Sequence, residues 1–231
     1  MSSRKKSDKK VTRVRMLIVG FTILVGIVVL GYGTLYSTGL GEGEFLAGEH
    51  YRVIENPPRR RAGAPIMVRE YFSYGCIHCR NFEPLLDEWR ATQPERTAFE
   101  RSPVAFSPAW QLLAQTYFTL KRLDVLEQNH MRLFRAIHDN ARQFATPESM
   151  ADFVDGNGVT RAEFLRMFNS PEVRGDLREA DAIQRNIVIS SVPTLVVDDR
   201  YVVNMDLGRK RALDVVDYLI SQQLAETAAA P

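Results

Sequence analysis

Hydrophobic and polar positions divide the chain into three regimes. The first runs from Met16 to Gly41, which holds no charged residue, and Met16 to Tyr36 is almost continuously apolar. A run of that length can cross a bilayer as one helix, so a transmembrane anchor is expected over residues 16–36. Residues 37–48 are rich in glycine and glutamate and read as a flexible linker. The second regime, from residue 49, is strand-like. His50–Ile54 alternates as a short strand. Ile66–Phe72 is an apolar, aromatic run that reads as a buried strand, and Thr97–Phe106 reads as a further strand and its exit. Between the last two, Arg80–Trp89 sets Phe82, Leu85, Leu86 and Trp89 on one face of a helix.

The third regime is helical for about eighty residues. Ser107-Pro108 reads as an N-cap with proline at the first helical position, and a helix follows it. A second helix is expected near Leu126–His138. Thr146-Pro147-Glu148 opens a third that stops near Gly156. Thr160-Arg161-Ala162-Glu163 is a capping box before a fourth, and Ser170-Pro171 opens a fifth that runs to about Ile187. Their apolar stripes are those of a helical bundle. His130 and His138 lie within it and read as surface or packing residues rather than ligands. The pattern then returns to strands. Val192-Pro193 leads into Thr194–Val197, Asp198-Asp199-Arg200 is a turn, and Tyr201–Val203 returns as a hairpin. Pro193 is either an edge or turn proline or a cis-proline. Gly208–Leu224 reads as a closing amphipathic helix, and residues 227–231 as a frayed tail.

Charge changes the picture at one end only. Residues 1–15 carry seven Lys/Arg against the single acid Asp8, so the net charge of +2 hides an acidic remainder. A basic tail can signal nucleic-acid binding. Here the apolar run follows it directly and Glu42, Glu44 and Glu49 follow the run. The positive-inside rule therefore sets the tail in the cytoplasm and the rest of the chain across the membrane, with no nucleic-acid partner. A cleaved signal peptide is the alternative, but the run exceeds a typical signal core and no A-x-A site follows it. Either reading delivers the globular part to an oxidising compartment.

The candidate chemistry lies in Cys76-Ile77-His78-Cys79, which holds the only two cysteines in the sequence. Strand, tight turn, C-x-x-C and helix is the context of a redox site. A cysteine at a helix N-terminus meets unpaired backbone N–H groups and the positive end of the dipole, so Cys76 is expected as the attacking thiolate. Cys79, one turn further in, is expected as the resolving thiol, and His78 can add charge or a hydrogen bond near Cys76. A structural zinc needs four ligands, and the histidines (His50, His78, His130, His138) offer no second pair at ligand spacing. Two inert buried cysteines would have no reason to take this spacing. Glu70, six residues before Cys76, is either an exposed strand-end charge or a buried carboxylate that exchanges protons with Cys79.

Phe72-Ser73-x-x-Cys76-x-His78-Cys79, the acid at Glu70 and the later Val192-Pro193 resemble the DsbA family of thiol:disulfide oxidoreductases. The resemblance covers residues 49–226. It implies an α/β, thioredoxin-like fold in two parts, 49–106 and 189–226, with an inserted α-helical domain over 107–188; the one N-terminal transmembrane helix read from the apolar run stands ahead of it. By position it makes Cys76 the nucleophile, Cys79 the resolving thiol, His78 the thiolate stabiliser, Glu70 the buried acid and Pro193 a cis-proline beside the disulfide. Val192 and Ile77 are then the substrate-contacting positions, with the Val192 backbone pairing to an extended peptide. The redox-active Cys76–Cys79 disulfide replaces any other cofactor. The implied partners are reduced exported proteins and a DsbB-like, quinone-linked membrane oxidase, and the anchor read over residues 16–36 adds the inner membrane. With that anchor, the expected location is the bacterial inner membrane, single-pass, with the N-terminus in the cytoplasm and the catalytic part in the periplasm. Two features depart from the family: Ile77 replaces the usual proline of the Pro-His dipeptide, and an anchor is unusual. Electron flow in the opposite direction, as a tethered reductase or isomerase acting for instance on apocytochrome cysteines, is the alternative. A non-catalytic holdase is a third.

Overall fold

The computed structural model describes residues 16–31, 45–61 and 63–229. It forms two units, 1–44 and 45–231. In the first, residues 16–31 are helical (α1), with the apolar side chains Leu17, Ile18, Phe21, Ile23 and Leu24 exposed. At about 1.5 Å per residue this helix spans roughly 24 Å, short of the ~30 Å hydrocarbon core of a bilayer. Among the described residues no helix is long and apolar enough to cross a membrane. The remainder of the expected anchor, 32–36, lies outside the described residues, as do the basic tail 1–15 and most of the expected linker.

The second unit is a five-stranded sheet with helices on both faces. Strands β1 (Tyr51–Val53), β2 (Ile66–Phe72), β3 (Thr97–Pro103), β4 (Thr194–Val197) and β5 (Tyr201–Val203) lie in the order β1-β5-β4-β2-β3. Only the β2–β3 pair is parallel. The apolar character of β2 follows from its position between β3 and β4, where both its faces are covered. Ile66 and Val68 pack towards α3 (Glu83–Ala91) and α9 (Arg209–Ala229), with Phe82, Leu86, Leu195, Val216 and Ile220. Tyr71 points to the opposite face, with Ile54, Val104, Ile189 and Val196. Pairing across β2–β3 brings Glu70 opposite Arg101.

Between β3 and β4 the chain inserts α4 (Pro108–Arg122), α5 (Leu126–His138), α6 (Pro147–Val154), α7 (Arg161–Phe168) and α8 (Pro171–Asn186). The caps expected from the sequence are formed. The Ser107, Thr146, Thr160 and Ser170 side chains each accept from a first-turn N–H, and Thr146 and Thr160 complete capping boxes. The core of this insertion is continuous with the cysteine loop. Phe72, Tyr74, Cys76 and Cys79 share one cluster with Leu113, Tyr117, Leu133, Phe134 and Phe164.

Two elements differ from their sequence reading. The helix after the cysteines is broken into α2 (Ile77–Arg80) and α3, with Asn81-Phe82 between them. Pro84 has no N–H to give the Arg80 carbonyl, and its ring clashes with the carbonyl four residues back, so the ladder cannot run through. The last helix continues to Ala229, past the expected end at Leu224, because Ala225–Ala229 contains no helix breaker and Thr227 donates to the Gln223 carbonyl at 2.7 Å.

Phe134 joins the insertion to the cysteine loop, touching the rings of Phe72, Tyr74, His130 and His138. It is fully buried. Phe134→Ala is expected to cost about 3–5 kcal/mol, read as a fall in the urea midpoint of unfolding, with Phe134→Leu losing much less.

Candidate functional site

Cys76 is the N-cap of α2, with φ −100° and ψ 114°, so its side chain turns back over the first turn. Its Sγ accepts from the Cys79 N–H at 3.4 Å and, as a thiol, donates to the Val192 carbonyl at 3.4 Å. Both cysteines are free thiols, so the structure describes the reduced form. The Cys76 thiol is lowered from 9.0 to about 6. The main cause is a hydrogen bond from the Cys79 thiol. Burial opposes it, while the backbone N–H groups of Cys79 and His78 and then the charge of His78 add to it. A four-residue helix has little macrodipole, so these local donors, rather than the helix dipole expected from the sequence, hold the thiolate.

Cys79 is wholly buried, and its thiol is raised by that burial, by its bond to Cys76 and by the negative charge of the Cys76 thiolate. The two thiols therefore differ in the sense that thiol exchange needs: one at the edge of the core, 8 % exposed and acidic, the other wholly buried and protonated. His78 is exposed and Ile77 is 43 % exposed beside the reactive sulfur. The Val192–Pro193 peptide is cis, and the Val192 carbonyl lies against Cys76. Behind the loop stands Trp110, so close that a Cβ on Gly75 would lie 2.5 Å from its Nε1. Phe106, 42 % exposed, stacks on that indole.

Glu70 is fully buried, not a strand-end charge. Burial holds its carboxyl well above the ordinary carboxylate range, reinforced by Glu83 and countered by Arg101. Arg101 Nε lies 3.2 Å from Glu70 Oε2, and another nitrogen of the same guanidinium donates to Glu83 Oε2 at 2.6 Å. His130 Nε2 is 3.1 Å from Glu83 Oε1, and His130 Nδ1 is 2.8 Å from the Tyr74 hydroxyl. Burial would raise Glu83, but His130 and Arg101 outweigh it and keep its carboxyl below the usual value. The Tyr117 hydroxyl donates to the Arg101 carbonyl at 3.0 Å. At the C-terminal end of α5, His138 donates to the Tyr74 carbonyl at 2.9 Å, and Asp139 accepts from Arg80 at 2.8 Å. Among the described residues no three His, Cys, Asp or Glu side chains gather as a metal site.

Tyr74, Glu83, Arg101, His130 and Trp110 did not emerge from the sequence as site residues. Two signals were present. In-register pairing of parallel strands 66–72 and 97–103 sets Glu70 opposite Arg101. His130 stands three and four residues before the buried Leu133 and Phe134, on the same helical face.

Comparison with known proteins decides the family. A family model described as a DSBA-like thioredoxin domain matches residues 67–219. The chain belongs to that family. It is 35 % identical over 215 residues to the thiol:disulfide interchange protein DsbA of Azotobacter vinelandii, covering 90 % of this chain and 98 % of the relative. The crystal structure of Pseudomonas aeruginosa DsbA superposes with TM-score 0.75 at 33 % identity, covering 80 % and 97 % of the two chains. That of the oxidoreductase DsbA from Xylella fastidiosa gives 0.74 at 32 %, covering 78 % and 98 %. The protein is a DsbA-like disulfide oxidoreductase with a thioredoxin-like α/β fold.

For this DsbA-like chain, the ultraviolet absorbance of the reduced thiolate should titrate near pH 6. Cys79→Ala removes the largest cause and should move the midpoint up towards 9.0. Because the folded-state value lies below the unfolded one, the thiolate stabilises the reduced fold fully above about pH 9, and the gain is lost as pH falls through about 6. Urea unfolding of the reduced chain against Cys76→Ser across that window checks the sign.

Proposed function

We propose that the chain is a periplasm-facing disulfide donor that oxidises exported proteins through a Cys76–Cys79 disulfide, with no other cofactor. The observation that carries this reading is the asymmetry of the two sulfurs: Cys76 is held as a thiolate by local donors, while Cys79 is buried and kept protonated. Stabilising the reduced thiolate makes the disulfide more oxidising. A substrate thiolate attacks Cys76 Sγ of the disulfide. A substrate–Cys76 mixed disulfide forms, and Cys79 leaves as a thiolate that takes a proton from Glu70. The second substrate thiol, as a thiolate, then attacks the substrate sulfur and releases Cys76 as a thiolate. The substrate has lost two electrons and the enzyme has gained them. Val192, through its carbonyl beside Cys76, and the exposed Ile77 flank the incoming peptide, and Pro193 holds the Val192 backbone in place. His78 contributes its N–H and charge to the Cys76 thiolate.

Residues 16–36 anchor the chain in the inner membrane with the N-terminus in the cytoplasm. The support is the charge-free run 16–41, the seven Lys/Arg before it, and the exposed apolar helix over 16–31. Reoxidation by a DsbB-like, quinone-linked protein in the same membrane fits this anchoring, since sharing a membrane raises the effective concentration of the two partners.

With the full-length chain in detergent, Cys76→Ser should reduce oxidation of a reduced dithiol test protein to the uncatalysed rate. Cys79→Ser should accumulate mixed disulfides that survive acid quenching. Undiminished oxidation by Cys76→Ser would refute the mechanism, and a redox equilibrium with glutathione as reducing as thioredoxin's would favour the reductase direction.

The anchor is tested separately. The full chain should stay with membranes through alkaline carbonate extraction, and externally added protease should degrade residues 45–231 in spheroplasts. Release of the intact chain by carbonate would refute anchoring.

A further inference from the structure

The buried network beside the cysteines holds two carboxylates, and their surroundings are unequal. Glu83 accepts a hydrogen bond from Arg101 and meets His130 on its other oxygen. Neither oxygen of Glu70 has a hydrogen-bond partner, and its contact with Arg101 Nε is an ion pair whose geometry falls short of a hydrogen bond. Both residues are almost entirely buried. One guanidinium cannot satisfy two buried anions, so the less supported carboxylate is the costlier place for charge.

His130 tips that balance. A carboxylate only accepts, so the 3.1 Å contact requires the proton on His130 Nε2. That leaves Nδ1 for the Tyr74 hydroxyl at 2.8 Å, so one imidazole ring bridges the two groups. The ring is only 5 % exposed and is boxed by Phe72, Tyr74 and Phe134. We propose that His130 is a positioning residue: fixed by the Tyr74 hydroxyl, it keeps Glu83 as the ionised carboxylate and so leaves the shared proton on Glu70, ready for Cys79. The inference rests on the reading of Glu70 as the acid that protonates the departing Cys79.

The other charged or titratable groups facing this cluster are few. Arg101 of β3 stays cationic, because the two carboxylates outweigh the burial that opposes its charge. Asp87 of α3 reaches Arg101 at 3.5 Å but is 55 % exposed and therefore screened. Glu127 of α5 is exposed. Tyr117 of α4 is buried and stays neutral, its hydroxyl committed to the Arg101 carbonyl. Cys79 of α2 is the group that receives the proton.

The test follows reduction of the oxidised full-length chain by dithiothreitol from pH 5 to 10, using acid-quenched samples, with rates divided by the fraction of dithiothreitol thiolate. In the wild type the corrected rate should fall as pH rises through the titration of Glu70, and Glu70→Gln should lose that inflection. In His130→Leu, Glu83 loses a donor and competes for the proton. The inflection should then move to lower pH by at least one unit, making the variant about tenfold slower a unit above the wild-type midpoint. His130→Gln keeps an N–H for Glu83 and an acceptor for Tyr74, and should restore the profile. An unmoved inflection in folded His130→Leu, or a glutamine variant that behaves like the leucine variant, overturns the proposal. An inflection that survives Glu70→Gln overturns the reading of Glu70 beneath it. Should His130→Leu fail to fold, Tyr74→Phe removes a single hydroxyl, and its inflection must move in the same direction or the proposal falls.

Discussion

A wholly buried thiol cannot leave a disulfide as a thiolate unless a proton reaches it. That constraint, imposed by the zero exposure of Cys79, organises the structure behind the active site. A proton donor has to be buried with it, and a buried carboxylic acid stays protonated near neutral pH only while no cation is free to claim it. In its proposed role as that donor, Glu70 meets this condition because its cationic neighbour among the described residues, Arg101, is shared with Glu83. An unshared Arg101 would turn Glu70 into a paired anion, and a missing Arg101 would leave Glu83 uncompensated at a cost of several kcal/mol. The arrangement works because it is one cation short.

The helical insertion belongs to the same argument. Its α5 supplies His130 to Glu83, His138 to the Tyr74 carbonyl, and is followed by Asp139, which pairs with Arg80. Three polar contacts from α5 and its C-cap therefore reach the loop before Cys76 and the two helices after it. Phe134 fills the space between them with apolar contact. On the far side of the loop, α4 places Trp110 against Gly75, where there is no room for a side chain. The insertion thus holds the cysteine loop from two sides and completes the charge network beneath it. It is part of the redox site as well as a cover over it.

How much of this was legible in the sequence depends on the range of the interaction. The C-x-x-C motif, the strand before it, the capping serines and threonines and the Asp198-Asp199 turn are local, and each can be read from a few residues. The break at Asn81-Phe82 was also local: Pro84 forbids a continuous helix, and the amphipathic face from Phe82 to Trp89 masked it. The Glu70–Arg101 pair needed one further step, the register of two parallel strands 31 residues apart. The contacts of His130 with Glu83 and Tyr74 join residues 47 and 56 positions apart, across an insertion whose packing no periodicity specifies. A histidine on the buried face of an amphipathic helix looks the same in sequence whether it packs inertly or holds a carboxylate.

Ile77 shows why a departure from a family pattern has to be read in its geometry. Proline at this position would be the first residue of α2, where a backbone N–H has no partner within the helix in any case. Replacing it by isoleucine therefore sacrifices no helical hydrogen bond. Nor does the added N–H reach the reactive sulfur, since the backbone donors that hold the Cys76 thiolate come from His78 and Cys79. What isoleucine changes is the surface beside the sulfur, where a branched apolar side chain now stands 43 % exposed. The substitution acts on the surface beside the sulfur and on the stiffness of the turn, while the donors that set the acidity of Cys76 stay in place.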